Sequence, residues 1–332
     1  MSKLEEVVQR YLDLGINQQI DYEKFYLYSI ITHSTAIEGS TVTELENQLL
    51  FDEGITAKGK TLAEQQMNLD LKAAYDESLV LARKHAEISM DMLRHLAAIV
   101  MKGTGKTYRT ALGDFSSAKG DLRLLNVTAG VGGRSYMSFN KVPQKLNEFC
   151  QSLNETRRQA PNLSIQQRYD MSFDAHFRLV TIHPWADGNG RMSRLLMNHL
   201  QFEFGLIPTK ILKEDKEDYI MALIETREQY DLQVFRDFMS DIMVKNLNAE
   251  IQLYLQSTGE AEGENKKSRE KKPKSREKIL ALLAENPYLT IAGLSAAIGI
   301  GTKAVEKQLA RLKAEGRLKR VGPAKGGHWE LN

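Results

Sequence analysis

The chain has 332 residues, of which 27% are charged and 42% hydrophobic, as is typical of a globular protein with two or three domains. The N-terminal segment is charged throughout and lacks the apolar core of a signal peptide, and no stretch has the length of a membrane span. The only cysteine, Cys150, excludes an internal disulfide and a cysteine-based metal cluster. The sequence therefore predicts a cytoplasmic protein, with Cys150 buried on a helix.

The charges are unevenly distributed along the chain. The net charge is only +2, but residues 266–332 hold 16 Lys and Arg against 6 Glu, a net of +10, which leaves −8 for the rest. Such asymmetry indicates a basic segment that meets a polyanion. The alternative is a solvated linker with an ordinary basic surface.

Most of the chain has the apolar spacing of helices. A helix over 22–37 ends near Glu38 and Gly39, and Thr41 with Glu44 is placed to form a capping box for the next one. A stretch rich in glycine and β-branched residues, 120–138, predicts a loop with a short hairpin. The other predicted helices cover 61–85, 89–103, 142–153, 166–182, 192–205, 216–228 and 232–254.

The C-terminal part has a different organisation. Residues 256–275 have almost no apolar side chains and many charges, which predicts a flexible linker. Residues 276–332 then read as three helices and a hairpin, the order of a winged helix-turn-helix domain. Before the linker we predict an N-terminal helical regulatory region over 1–90 and a core domain over 91–245.

The predicted winged helix has an apolar core and a basic face. Its core candidates are Ile279, Leu282, Leu283, Leu294, Ile298, Val305, Leu309 and Leu312. Its basic candidates are Lys303, Lys307, Arg311 and Lys313 on the recognition helix and Arg317, Lys319, Arg320 and Lys325 on the wing. These charges suit phosphate contacts of DNA. Because winged helices also dock proteins, both partners stay open.

The stretch "IHPWADGNGRMSR", residues 182–194, carries the clearest chemical signal. Gly188 and Gly190 allow backbone conformations that a side chain forbids, and let a ligand approach closely. The first amides of the helix that follows form an anion site. Arg191 and Arg194 lie on one face of that helix, and both can fork onto phosphate oxygens.

Two further side chains complete this pattern. Asp187 offers a hard oxygen ligand that could hold Mg²⁺ between phosphates. His183 is placed to act as the general base for a hydroxyl nucleophile. The set predicts a site for a nucleoside triphosphate with Mg²⁺, and transfer of a phosphorus-centred group to a hydroxyl.

At these residues the sequence resembles the Fic (Fido) family, whose motif is H-P-F-x-(D/E)-G-N-G-R-x-x-R. The departure is Trp185 in place of the usual Phe, which we expect to pack in the same way. The resemblance implies an all-α fold, a Fic-type helical bundle with a small β-hairpin flap, and transfer of AMP from ATP to a protein hydroxyl. Gly190 supports AMP transfer, since the Doc-like kinases of the family carry Lys there.

The resemblance also implies a role for each motif residue. His183 would deprotonate a Ser, Thr or Tyr of the target protein, and Asp187 would hold Mg²⁺. The hairpin flap would lie within 122–138 and align the target by strand addition. The implied nucleotide-binding residues are Gly188, Asn189, Gly190, Arg191, Arg194 and Tyr219.

An upstream stretch, "STAIEGS", matches the inhibitory motif (S/T)-x-x-x-E-(G/N) of some family members. Ser34, Glu38 and Gly39 carry the match. In that likeness Glu38 pairs with Arg194 and removes the arginine that should hold the outer phosphate. One arginine cannot fork both a carboxylate and a phosphate, so the chain would inhibit itself.

Two other functions are left open by the sequence. A Fic relative could mainly remove AMP, for which Glu38 could serve, or could transfer a different group. Alternatively, the chain is a DNA-binding regulator whose Fic core only senses nucleotide. The target protein and the formation of a homodimer are not determined by the sequence.

Overall fold

The computed structural model describes residues 1–129, 135–258, 279–280, 282–284, 286–298, 302–314, 316–322 and 328–331. The chain divides into two compact units, Met1–Ser257 and Thr258–Asn332, and each is described by itself. Among the described residues, no helix combines the length and the apolar character needed to cross a membrane.

Among its described residues, the first unit is built from ten α-helices, short 3-10 turns and one two-stranded antiparallel sheet, which confirms the all-α prediction. Its strands are β1 (Thr107–Thr110) and β2 (Gly113–Ser116). Its helices are α1 (Lys3–Asp13), α2 (Tyr22–Ile37), α3 (Glu44–Glu53), α4 (Leu62–Arg83), α5 (Met90–Val100), α6 (Val142–Gln159), α7 (Ile165–Ile182), α8 (Asn189–Glu203), α9 (Lys216–Gln229) and α10 (Leu232–Thr258).

The start of α3 differs from the prediction. Its capping box is formed by Thr43 and Glu46, not by Thr41 and Glu44. Thr41 instead donates from its backbone N–H and its hydroxyl to Glu64, at 2.8 and 2.7 Å. A carboxylate 23 residues further along the chain thus takes the hydroxyl that local spacing assigned to the cap.

Helix α8 lies at the centre of the unit and is buried on nearly all sides. Two of its polar side chains have partners in α4. Tyr75 donates to Asn198 at 2.7 Å, and the hydroxyl of Ser78 lies 2.9 Å from Nδ1 of His199. Cys150 is buried on α6, as predicted. Because the middle of α8 is enclosed, a ligand can reach this helix only near its ends, and its N-terminal turn carries the motif residues.

Two core histidines make stability depend on pH. Burial lowers the pKa of His176 to about 3 and of His199 to about 4. The unfolded chain, with pKa near 6.5, therefore binds more protons than the folded one as the pH falls from 6.5 toward 4, and stability is lost over that window. We expect His199→Gln to reduce the slope of unfolding free energy against pH by ~1.4 kcal/mol per pH unit near pH 5.

Urea unfolding between pH 4.5 and 7 measures that slope. The matched control is His95→Gln, because the side chain of His95 is 58% exposed. An unchanged slope in His199→Gln would show that His199 does not stay neutral in the fold.

The region of the predicted hairpin holds one antiparallel bridge, between Thr128 and Ser135. The backbone N–H of Tyr136 also donates to the carbonyl of Val127 at 3.0 Å. Residues 130–134, at the tip of the predicted flap, lie outside the described residues. The β1–β2 hairpin lies further upstream and was not predicted.

The second unit contains a winged-helix arrangement, as predicted. Its described elements are α11 (Ile291–Ile298), α12 (Thr302–Ala314) and the antiparallel strands β3 (Leu318–Val321) and β4 (His328–Leu331). Residues 279–280 and 282–284 are also helical. Helix α10 of the first unit continues to Thr258, past the expected linker start at 256, and the remainder of that linker lies outside the described residues.

The core of this unit contains six of the predicted residues, while Leu282 is only partly buried and the side chain of Ile298 lies outside the described set. Leu318 and Trp329 also belong to this core and were not predicted. Trp329 lies beneath Lys313 and Arg320, at 5.0 and 4.8 Å from its ring. The side chains of Lys303, Lys307 and Lys325 fall outside the described part of the chain. Exposed basic residues of this face are Arg311, Lys313, Arg317 and Lys319.

Candidate functional site

The motif residues form a tight loop between α7 and α8. His183 ends α7 in the left-handed conformation, with φ 53° and ψ 62°. Gly188 starts α8 with φ 82°, and a Cβ there would lie 2.7 Å from Sδ of Met101. The backbone angle favours glycine at position 188, and a larger residue would also have to displace the Met101 side chain.

Two side chains of the motif stabilise the loop itself. Oδ1 of Asn189 accepts from the backbone N–H of Trp185 at 3.1 Å, and Nδ2 donates to the carbonyl of Trp185 at 2.9 Å. Trp185 is 1% exposed, and its indole N–H donates to the carbonyl of Gly120 at 3.2 Å. The tryptophan therefore packs as expected. The side chain of Asn189 holds the loop, so what this residue offers an anion is its backbone N–H.

Arg123 was missed by the sequence analysis. It is 1% exposed and donates from Nε to the carbonyl of His183 at 2.7 Å. Its other nitrogens donate to the carbonyls of Leu125, at 2.8 Å, and Met137. One buried guanidinium thus ties the flap region to the histidine. A lone arginine in a glycine-rich loop gives no sequence signal for such a role.

We expect Arg123→Ala to destabilise the first unit by about 3 kcal/mol, because it leaves three carbonyls without their charged donor. Urea unfolding measures the change. The matched control is Arg109→Ala, since Arg109 lies in the same segment but is exposed. Equal stability of the two variants would contradict a structural role for Arg123.

His183 has the tautomer and protonation state of a base. Its Nδ1 lies 3.2 Å from the carbonyl of Val180, so we assign the ring proton to Nδ1 and the free lone pair to Nε2. The ring of Tyr136 stacks on it at 3.7 Å, and Arg227 lies 5.3 Å from the Tyr136 ring. Burial, with smaller effects from Arg123 and Arg227, lowers the pKa of His183 to about 4. The imidazole is therefore neutral at pH 7.

The N-terminus of α8 forms an anion site. No side chain of the described part of the chain caps it, and the helix dipole adds partial positive charge there. A Cβ on Gly190 would lie 2.7 Å from Oε1 of Glu38. A carboxylate thus already lies against the turn that would receive phosphate.

The two arginines of the motif have different environments. Arg194 is buried and donates to the hydroxyl and carbonyl oxygens of Ser34, at 2.8 and 3.0 Å, and to Glu38 at 2.7 Å. Arg191 is 3% exposed, and its Nε and Nη1 have no hydrogen-bond partner among the described residues. Its Nη2 lies 3.1 Å from Sδ of Met101 and 3.5 Å from Asp187. Arg191 therefore carries buried donors that suit an anionic ligand.

Ser34, Glu38 and Gly39 come to this site from the end of α2. Glu38 is the residue after Ile37, where α2 ends, and Gly39 turns the chain away with φ 104°. Burial acts to raise the pKa of Glu38, but the charge and hydrogen bond of Arg194 outweigh it and hold the pKa below its usual value. A charged carboxylate thus sits at the tip of the helix.

Tyr219 lies underneath Arg194. It is 1% exposed, its hydroxyl is 2.9 Å from Nε2 of His176, and it interacts with the guanidinium. The structure thus brings Tyr219 to the same cluster as the motif, on its buried side. The contact with Tyr219 helps to fix the position of the Arg194 guanidinium.

Asp187 is the candidate ligand for a metal. Its side chain is 59% exposed, and Oδ1 accepts from the N–H of Gly188 at 2.6 Å. The described part of the chain has no cluster of three or more His, Cys, Asp or Glu side chains that could hold a metal ion by themselves. One exposed carboxylate beside a phosphate site fits Mg²⁺, which commonly binds one or two carboxylates together with substrate phosphates.

Comparison with known families agrees with this geometry. The Fic/DOC family model matches residues 87–201, which include the whole loop and most of α8. The chain carries a Fic/DOC domain. A second model, described as winged helix-turn-helix DNA-binding, matches residues 273–319.

Curated proteins similar to this chain include protein adenylyltransferase fic-1 from Caenorhabditis elegans. It is 26% identical over 70% of this chain and 42% of the relative. Protein adenylyltransferase Fic from Culex quinquefasciatus is 28% identical over 75% of this chain and 45% of the relative. The chain thus spans less than half the length of these relatives.

Solved structures share the Fic fold. A Fic domain containing signaling protein from Bacteroides thetaiotaomicron has a TM-score of 0.62 at 20% identity, over 74% of this chain and 94% of that chain. A Fic family protein from Desulfovibrio desulfuricans has a TM-score of 0.60 at 18% identity, over 99% of this chain and 94% of that chain. Together with the family models, these likenesses confirm the predicted Fic fold and winged helix.

Proposed function

We propose that the chain is a protein adenylyltransferase that transfers AMP from ATP to a Ser, Thr or Tyr hydroxyl of a target protein. The observation that carries this proposal is the neutral His183 beside a helix N-terminus and the donors of Arg191, for which the described residues provide neither a side-chain cap nor a partner. The names of the curated relatives support the same activity.

Different residues of the site bind the phosphates, accept the proton and hold the metal ion in this proposal. The backbone N–H groups of Asn189 and Gly190, with Arg191, hold phosphate oxygens. Nε2 of His183 takes the proton of the target hydroxyl while the hydroxyl oxygen attacks the α-phosphorus of ATP. The bond between the α-phosphorus and the oxygen that bridges the α- and β-phosphates breaks, and pyrophosphate leaves. Asp187 would hold Mg²⁺, which would neutralise charge on the phosphates.

Glu38 acts as a built-in inhibitor in this proposal. Its carboxylate lies against Gly190 and pairs with Arg194, the two places that an outer phosphate would use. ATP must therefore displace Glu38 or bind without that arginine. The same carboxylate can serve removal of AMP, so a bifunctional enzyme is the nearest alternative.

The flap region 122–138 is proposed to present the target. Its described part has a bridge from Thr128 to Ser135, and Arg123 ties it to His183. An extended target segment paired to this hairpin would bring its hydroxyl to the base mainly through backbone hydrogen bonds. Recognition would then depend weakly on the target's side chains.

The test uses ATP labelled at the α-phosphate or the γ-phosphate, with Mg²⁺, on wild type and Glu38→Gly. We expect the variant to incorporate α-label into protein at least about tenfold faster than the wild type. A tenfold rate change corresponds to a change of about 1.4 kcal/mol in activation free energy. The control is Glu53→Gly, another glutamate at a helix end, which is exposed. Transfer of γ-label would show kinase activity. ATP binding without any label would favour a nucleotide-sensing regulator.

A second candidate function is duplex DNA binding by the second unit. The family match at 273–319 and the exposed Lys313, Arg317 and Lys319 favour it. Binding should weaken steeply between 50 and 200 mM salt, as expected when several phosphates are contacted. Salt-insensitive binding, or none, would favour a protein partner for the winged helix.

A further inference from the structure

A cavity of about 240 Å³ lies against the N-terminal half of α2, away from Glu38. Helix α2 spans 16 residues, so its two ends are about 24 Å apart. The walls come from α1, α2, α4 and the end of α8. Apolar wall residues are Leu12, Leu27, Leu79, Leu206, Ile207 and Pro208, and the rings are those of Tyr22, Tyr26 and Phe202.

One polar atom in this lining lacks a partner. Oδ1 of Asn17 is buried and accepts no hydrogen bond from the described residues. Asn17 lies in a single turn of 3-10 helix, Ile16–Gln18, between left-handed Gly15 and Asp21, with φ of 64° and 58°. Unpaired buried acceptors are uncommon, and left-handed backbone at a non-glycine residue is a strain that clusters at functional positions.

The dimensions indicate the size of an occupant. Dry cavities of ~150 Å³ lined by apolar side chains take up a single benzene ring. A volume of about 240 Å³ therefore admits two fused rings. At the edge of the cavity, Glu23 and Arg83 approach to 3.9 Å and are largely exposed, which gives the apolar interior a polar rim.

We propose that this cavity binds a small aromatic molecule of about two fused rings that carries one hydrogen-bond donor, which it gives to Oδ1 of Asn17. The rings of Tyr22 and Tyr26 provide aromatic contacts, and the aliphatic walls provide burial. This inference goes beyond the proposed function and does not rest on it.

The experiment is calorimetric titration of the full chain with indole and with benzofuran, which has the same shape but no N–H. We expect saturable one-to-one binding, with indole about fivefold tighter, the factor that corresponds to one net hydrogen bond of 1 kcal/mol. Asn17→Leu should remove this difference. Leu79→Trp should abolish binding by filling the cavity, whereas Leu69→Trp, on the same helix but outside the lining, should retain it.

Leu206→Phe is a second filling variant, and thermal melts of all variants check that they fold. Absence of saturable binding to the wild-type chain would overturn the site. Binding that survives both filling variants would do the same, because the probe would then bind elsewhere. Equal affinity of the wild type for indole and benzofuran would overturn the role of Asn17.

Discussion

Replacing His183 with alanine in the Glu38→Gly chain should abolish AMP transfer while ATP still binds. The imidazole lies beside the phosphate site with its Nε2 lone pair free, and it is neutral at pH 7. A positioned general base contributes 10²–10⁴ in rate, so we expect a loss of about 10³-fold. Alanine leaves the phosphate donors of α8 in place, and the affinity for ATP should change little.

Rates of α-label incorporation, and ATP affinity from calorimetry, measure the two effects separately. His95→Ala is the control, since His95 lies in the same unit on exposed helix surface. Retained labelling in His183→Ala would show that another group takes the proton. Loss of both labelling and ATP binding would indicate a collapsed loop, because the backbone of His183 also accepts from Arg123.

The second large effect is expected for Arg194→Ala, again in the Glu38→Gly chain. Without Glu38, the buried guanidinium is released to fork an outer phosphate. Its loss should lower the transfer rate divided by KM for ATP by about 10²-fold, which corresponds to a charged hydrogen bond of 2–3 kcal/mol. Lysine should not rescue it, because an ammonium cannot reproduce the planar fork.

Arg194→Ala has to be tested in the Glu38→Gly chain and not in the wild type. In the wild type, Arg194→Ala would leave Glu38 partly buried without its cation, and destabilisation would be mixed with lost catalysis. The control is Arg178→Ala, an exposed arginine of α7. Unchanged kinetics in the Arg194→Ala chain would remove this arginine from the phosphate site.

Much of the site could be predicted because its chemistry is contained in one short loop. The bounds of α2, Tyr22 and Ile37, were predicted because apolar spacing and Gly39 both define them locally. His183 and Gly188 lie at the two ends of one short loop, because α7 ends just before His183 and α8 begins just after Gly188. The residues of this loop are close in space because they are close in sequence.

What the sequence did not reveal depends on contacts made far along the chain. Thr41 was assigned to a cap that Thr43 makes, because Glu64 binds it from another helix. Arg123 acts through three carbonyls, which carry no sequence signal. The β1–β2 hairpin has four-residue strands without an alternating apolar pattern, so no period of two marked it.

The burial of α8 has a consequence for how inhibition could be relieved. A helix enclosed along its length opens only with the whole unit, so its amides should exchange with solvent as slowly as global unfolding allows. Arg194 is then fixed in place, and release has to come from the other partner. Glu38 follows the last residue of α2, and the backbone N–H groups of Glu38, Gly39 and Ser40 still donate to carbonyls of that helix. Activation would accordingly depend on a local change at the end of α2, either rotation of the Glu38 side chain away from Arg194 or opening of these terminal hydrogen bonds, while α8 stays closed.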